Sequence, residues 1–197
     1  MPPRLLTSPN KGLPMPSHPH FSGQTPSEWV TRFTALCAPG AEILDFASGA
    51  GRHARWLAGQ GFSVLAADRD PAALAELAEV QGVHTLCADL EQGPWPWVAA
   101  SFDAVVVTRY LFRPKLAELA ALLRPGGVLI YETFMLGNER FGKPSNPDFL
   151  LRPDELFDWA RSWGSVLAFE QGELTAPAPA MIQRICAVRA DTSSRLP

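Results

Sequence analysis

Two hydrophobic periods take turns along this chain. Short apolar runs, Ile43-Leu44, Val64 to Ala67, Val83 to Cys87, Phe102 to Val107 and Val128 to Thr133, read as strands, the fourth nearly continuous in the way of strands buried on both faces. Between them apolar residues recur at helical spacing: Trp29, Phe33 and Leu36; Leu74, Leu77 and Ala78; Leu116, Leu119, Ala120 and Leu123. Start signals support these helices. Thr25-Pro26-Ser27-Glu28 offers an N-cap, a proline at the first helical position and a capping-box acid, and Asp70-Pro71 repeats the cap and proline. Pro153-Asp154-Glu155 opens a further helix to about Ser162. Two final strands, Val166 to Glu170 and Ile182 to Arg189, are joined by a loop carrying Pro177 and Pro179, which predicts an antiparallel hairpin.

Alternation of strand and helix argues for a doubly wound α/β sheet, mostly parallel, with helices on both faces and right-handed crossovers. A chain of 197 residues accommodates one such domain. We expect it over residues 25–190, after a proline-rich arm over 1–24 and before a tail over 191–197. The arm reads either as a tail or as a segment closing over a ligand through Met15, His18, His20 or Phe21. A second interruption, from Phe134 to Arg152, is polar and long enough to suggest a functional loop.

Composition narrows the partners. Seventeen basic against 20 acidic residues give a net charge of −3, without the clustering that nucleic acid attracts. Cys37, Cys87 and Cys186 lack metal or redox spacing and are expected to pack as small apolar residues. No metal site is expected. No run approaches a membrane span, and the N-terminus lacks a signal-peptide core, so the expected location is cytoplasmic, as a monomer or homodimer acting on a small molecule.

The chemistry concentrates where the first strand meets the next helix: Asp45-Phe46-Ala47-Ser48-Gly49-Ala50-Gly51-Arg52-His53. Glycine admits positive φ and close approach of a ligand to main chain, and a helix start offers unpaired N–H groups. Dinucleotides and S-adenosylmethionine both use such a turn. The dinucleotide fingerprint places a third glycine three residues after the second, where this chain has Ala54; alanine is tolerated there, so spacing leaves both open. The acid at Asp45 gives a pyrophosphate no advantage. A nicotinamide-dependent reductase also lacks a Tyr-x-x-x-Lys pair, Tyr110 being followed four residues later by Pro114.

The stretch Asp45 to Gly51 resembles the first motif of the class I S-adenosylmethionine-dependent methyltransferases, and further motifs follow in order: Asp68 ending the second strand, Ala88-Asp89-Leu90, Phe102 to Val106, and Leu123 to Leu129 with Pro125-Gly126-Gly127. Within the family, the short chain and the Gly-Arg-His-Ala-Arg-Trp-Leu helix are most similar to the small tellurite-resistance type. The resemblance implies a Rossmann-like seven-stranded sheet ordered 3-2-1-4-5-7-6 and S-adenosyl-L-methionine as cofactor. It implies cofactor contacts from Asp45, Ala47, Ser48, Gly49, Gly51, Asp68, Arg69, Ala88, Asp89, Leu90 and Thr108. The family usually has glycine where Ala47 stands, which predicts a slightly wider turn. Methyl transfer needs position more than a dedicated base, and no catalytic residue is nominated. Acceptor contacts are expected at the C-terminal strand ends, from Arg109, Tyr110, Glu132 and Arg140, with Asn138, Glu139 and Arg152 nearby. Arg52 reads as a solvated residue and His53 as a core contact. A non-catalytic protein that binds the same cofactor is the remaining alternative.

Overall fold

In the computed structural model, residues 25–190 are described; the proline-rich arm and the tail expected at the ends lie outside them. The strands are β1 (Glu42–Phe46), β2 (Ser63–Asp68), β3 (Val83–Cys87), β4 (Phe102–Thr108), β5 (Leu123–Phe134), β6 (Gly164–Leu174) and β7 (Ala180–Arg189). They form one sheet ordered β3-β2-β1-β4-β5-β7-β6, the order the resemblance implied. The first five strands pair in parallel, and β7 runs antiparallel to both β5 and β6, as the hairpin expectation required.

Alternation along the central strands sorts side chains onto two cores. Ile43, Ala104, Val106, Val128 and Ile130 face one, with Trp29, Val30 and Phe33 of α1 (Glu28–Phe33), Ala54 and Leu57 of α2 (Arg52–Gly59), and Leu74 of α3 (Pro71–Ala75). Leu44, Val105, Val107, Leu129 and Tyr131 face the other, with Leu119 of α4 (Leu116–Ala121) and with Leu156 and Ala160 of α5 (Glu155–Ala160). Between β3 and β4 no helix forms. Trp95 and Trp97 cover that part of the second core instead, their rings 6.0 and 5.9 Å from Phe46. Two large aromatics bury an area comparable to a helical turn, so the proline-broken crossover still closes the face.

Several local expectations need correction. Ser27, not Thr25, caps α1: its Oγ accepts the Trp29 N–H at 3.2 Å. The first helix also tightens into a 3₁₀ turn over Thr34–Leu36, which rotates Leu36 off the apolar stripe and leaves it 50% exposed. Ala78 lies past the end of α3 and is exposed. Cys87, expected to be packed, is exposed because β3 is the sheet edge. The polar segment after β5 is ordered by two 3₁₀ turns and by the buried Asn138, whose side chain donates to the Pro144 carbonyl at 3.1 Å and accepts the Met181 N–H at 3.2 Å.

Candidate functional site

Asp45 stands near the C-terminal end of β1, 1% exposed, and its Oδ2 accepts the Ala54 N–H in the first turn of α2 at 3.0 Å. The carboxylate thereby meets one of the donors that a helix start leaves unpaired. Burial, outweighing that hydrogen bond and the Arg52 charge, pushes its pKa up to about 7. Because the folded value lies above the ordinary one, the folded state holds this proton more tightly than the unfolded chain does. The associated stability is complete below about pH 4 and is lost as pH rises toward 7. Asp45→Asn keeps an acceptor for the Ala54 N–H and removes the titration. Urea unfolding across pH 4–8 should therefore show the variant gaining on the wild type as pH rises, by a few kcal/mol at the upper end.

The turn after β1 is shaped by three left-handed residues, Ala47 at φ 57°, Gly49 at φ 53° and Gly51 at φ 73°. The Ser48 N–H reaches the Ala67 carbonyl at 3.0 Å and the Gly51 N–H the Ser48 carbonyl at 3.0 Å, which curls the chain into a cradle over the end of β2. A Cβ placed on Gly49 would project into open space, whereas one on Gly51 would stand inside the buried Leu77 side chain. The two glycines thus answer different needs: one leaves room above the cradle and the other lets the start of α2 pack on Leu77. At Ala47 the left-handed conformation is taken by an L-residue, at about 1–2 kcal/mol. Ala47→Gly should relieve this, less about 0.4–1 kcal/mol of added unfolded-chain entropy. The expected net stabilisation of about 0.5–1 kcal/mol would appear as a higher urea midpoint.

Asp68, half-buried at the end of β2, closes the cradle from the side. Its Oδ2 accepts the Gly49 N–H at 2.7 Å and its Oδ1 the Asp70 N–H at 3.0 Å, while Asp70 separately caps α3 through the Ala72 and Ala73 N–H groups. Each Asp68 oxygen keeps a lone pair for a ligand hydroxyl. The Ala88 N–H donates to the Asp68 carbonyl at 2.9 Å and brings the end of β3 alongside. Asp89 there is exposed. Its Oδ1 takes the Glu91 and Gln92 N–H groups, and these bonds hold its pKa below the usual range. Leu90 is buried in the second core, and the side chain of Arg69 is exposed.

Two of the residues nominated for the acceptor are placed elsewhere. Tyr110 packs on Phe46 at 5.4 Å with Asp68, Asp89, Glu91 and Arg69 as its charged neighbours, so it flanks the β2–β3 side of the cradle. Its Oη is buried without a hydrogen-bond partner among the described residues. Arg140 bonds the Gly137 carbonyl at 3.1 Å and pairs with Glu173 at 3.7 Å, tying the loop after β5 to β6. Glu132 and Arg109 do meet at the strand ends, the Arg109 N–H donating to the Glu132 carbonyl at 2.9 Å.

Sequence reasoning missed the network around Glu132. Ser27 Oγ donates to its Oε1 at 2.9 Å and Arg184 Nη1 to its Oε2 at 3.4 Å. Arg184 also pairs with Glu170 at 2.6 Å and lies 4.8 Å from the Trp29 ring. The Ser27 N–H donates to His53 Nε2 at 3.2 Å, leaving the imidazole proton on Nδ1, 3.4 Å from Thr108 Oγ1. Burial, with Arg52 and Arg109 adding to it, lowers the His53 pKa to about 3. His53 is therefore a neutral strut, as its core reading anticipated. These contacts fasten the start of α1 to the ends of β4 and β5.

A S-adenosylmethionine-like ligand suits these residues: open space above Gly49, a carboxylate with lone pairs for adjacent ribose hydroxyls, and an orphaned tyrosine hydroxyl on the same side. Comparison with known proteins agrees. Residues 43–127 match the family model of a methyltransferase domain. The malonyl-[acyl-carrier protein] O-methyltransferase of Serratia marcescens is 36% identical over 104 residues, covering 51% of this chain and 41% of that protein. TehB from Haemophilus influenzae has the same fold at TM-score 0.64 and 19% identity, over 82% of this chain and 61% of its own. So does the Burkholderia thailandensis 1,6-didemethyltoxoflavin-N1-methyltransferase, solved with S-adenosylhomocysteine, at TM-score 0.64 and 21% identity over 83% and 77%. The chain thus spans about two fifths of the Serratia relative's length and about three fifths of TehB's. Residues 43–127 thus resemble a methyltransferase domain, and the described residues share the fold of solved S-adenosylmethionine-dependent methyltransferases.

Proposed function

We propose that this chain binds S-adenosyl-L-methionine over the Gly49 cradle and transfers its methyl group to a small polar or anionic acceptor by in-line displacement. The observation that carries the reading is Asp68. One carboxylate fixes the cradle through the Gly49 N–H and stays available to two ribose hydroxyls. Tyr110 Oη and Asp89 flank the same side for the adenosine, and Asp45, Ala47, Ser48 and Gly51 set the turn that receives the methionine portion.

When bound, the cofactor supplies an electrophilic methyl group, so the protein's task is to position and to exclude water. Glu132 has both oxygens engaged by Ser27 and Arg184, and His53 Nε2 already accepts a hydrogen bond. His53 Nε2 is thereby occupied, and neither side chain is required as a base when the acceptor already carries a lone pair. An acceptor that is already a lone-pair donor at neutral pH, such as a carboxylate, thiolate or chalcogen oxyanion, fits that arrangement. The O-methyltransferase name of the Serratia relative is in keeping with it. The net charge of −3 speaks for a small molecule rather than nucleic acid.

A labelled-methyl transfer screen with small carboxylates, thiols, chalcogen oxyanions and bulk RNA tests the reading. Turnover on a small anionic acceptor is expected. Cofactor binding with no transfer to any acceptor would favour a non-catalytic binding protein.

A further inference from the structure

One row of side chains across the sheet is polar. In register it runs from Thr108 at the end of β4 through Glu132 on β5 and Arg184 on β7 to Glu170 on β6, whereas the row two residues before it on β4 and β5, Val106, Ile130, Cys186 and Ala168, is apolar. Residues two apart on a strand share a face, so the polar row continues the core that α1 covers. Three of its members are paired: Ser27 and Arg184 hold Glu132, and Glu170 holds Arg184. Thr108 differs. The side-chain contact it makes among the described residues is the 3.4 Å one between its Oγ1 and His53 Nδ1.

That contact has a direction. His53 is 2% exposed and neutral, and a neutral imidazole carries a single ring proton. The Ser27 main-chain N–H can only donate, and it is spent on Nε2 at 3.2 Å. The ring proton therefore lies on Nδ1, and the Thr108 oxygen accepts it. A hydroxyl that accepts in this way still has its own proton to give, and no described residue is seen to take it. Ser27 is fixed in turn, its Oγ between the Trp29 N–H and Glu132 and its carbonyl on the Thr31 N–H at 3.0 Å.

Thr108 is partly exposed and follows Val107, whose partner on β1 is Phe46, the residue that leads into the cradle turn. It stands on the opposite side of β1 from Asp68 on β2, so a donor with its ribose on Asp68 and its methionine portion over the turn brings its reactive end toward β4. We propose that Thr108 donates a hydrogen bond to an oxyanion oxygen of the methyl acceptor, a carboxylate or chalcogen oxyanion, and that His53 and Ser27 are positioning residues that hold its hydroxyl in the donating sense. A hydrogen bond to an ionised oxygen is of the stronger kind, and one oxygen held in this way leaves its neighbour to attack the methyl group. The proposal rests on the methyl-transfer reading above.

Two measurements on the full chain test it. Long-range proton–nitrogen NMR correlations of the histidine rings should show the His53 proton on Nδ1; a proton on Nε2 overturns the proposal. Labelled-methyl transfer to malonate, selenite and thioglycolate at saturating S-adenosyl-L-methionine supplies the second. Thr108→Val should raise the KM for malonate or selenite at least about tenfold, while S-adenosylhomocysteine affinity stays within about twofold of wild type. Thr108→Ser should restore the KM. His53→Asn, whose amide can reach the Nδ1 position, should lie nearer wild type than His53→Gln, whose amide reaches the Nε2 position alone. His53→Gln combined with Thr108→Val should be no worse than Thr108→Val by itself, because His53 acts through that hydroxyl. An unchanged KM in Thr108→Val overturns the proposal, and so does an equal loss of S-adenosylhomocysteine affinity, which would place the hydroxyl on the methyl donor. Wild-type transfer to thioglycolate alone overturns it and leaves the methyl-transfer reading standing. Binding of S-adenosylhomocysteine without transfer to any acceptor refutes that reading first, and the Thr108 role with it.

Discussion

Gly49→Ala is expected to leave the protein folded and unable to hold S-adenosylhomocysteine, whereas Gly51→Ala, the same change two residues on, is expected to lower its stability by about 2–4 kcal/mol. Both glycines have positive φ, so each substitution carries about 1–2 kcal/mol of strain, offset by about 0.4–1 kcal/mol from a stiffer unfolded chain. There the likeness ends. The new methyl at position 51 would occupy the space of the Leu77 side chain, which is fully buried in the first core and must shift against its packed neighbours. Overpacking of that kind adds about 1–3 kcal/mol, bringing the total to about 2–4 kcal/mol. For a domain of this size that is a fall in midpoint of roughly 5–15 °C, measurable by thermal or urea unfolding without ligand. At position 49 the methyl meets nothing and stands in the open space above the cradle. Its net effect on folding should stay near about 1 kcal/mol. Its effect on binding should be a loss of about a hundredfold or more, because a ligand pressed to main chain must withdraw by the radius of a methyl group and so forfeit both its contacts and its hydrogen bonds. Unimpaired binding by Gly49→Ala would mean the ligand lies elsewhere.

The second large effect is expected at Asp68. Asp68→Ala removes the acceptor of the Gly49 and Asp70 N–H groups together with any bonds to ribose hydroxyls. Hydrogen bonds to a charged group contribute about 1.5–3 kcal/mol each, so loss of the ribose pair predicts roughly a hundredfold to ten-thousandfold weaker S-adenosylhomocysteine binding. The cradle bonds are partly solvated, so the folded state should lose only about 1–2 kcal/mol. Asp68→Asn separates the two effects. Its carbonyl can still accept one main-chain N–H, its amide cannot replace the second acceptor, and the affinity should lie between those of wild type and alanine. Equal stability losses with unchanged affinity in both variants would reduce Asp68 to a structural tie.

Much of this was legible in the sequence, for identifiable reasons. The parallel core strands are continuous apolar runs broken by glycine and proline, so their order followed once a resemblance supplied the connections. Asp70-Pro71 is a local signal, and it was read correctly because a cap reaches only two or three residues ahead. Residues whose role is set by distant partners were not legible. His53 is neutral because burial, then Arg52 and Arg109, disfavour its charge, and Ser27 meets it from 26 residues away and Glu132 from 105. The same long-range pull explains the displaced cap: Thr25 satisfies the local rule as well as Ser27 does, but only Ser27 also bonds Glu132 and His53. The surroundings of Tyr110 and Arg52 are likewise beyond local reading. Sequence places a residue at a strand end or a helix start without saying which way its side chain turns, and that direction decides between the two sides of the cradle. The alanine at position 47 was noted as a departure from the glycine expected there. The structure keeps the left-handed turn and the alanine accepts the strain.

The most direct test of the account is calorimetric titration of S-adenosylhomocysteine into the full chain beside Gly49→Ala, Gly51→Ala and Asp68→Ala. Saturable binding to the wild type is expected, with a loss of affinity in Gly49→Ala and Asp68→Ala while both remain folded, and a loss of stability in Gly51→Ala instead. Absence of binding to a folded wild type, or binding of NAD(P) in its place, would contradict it.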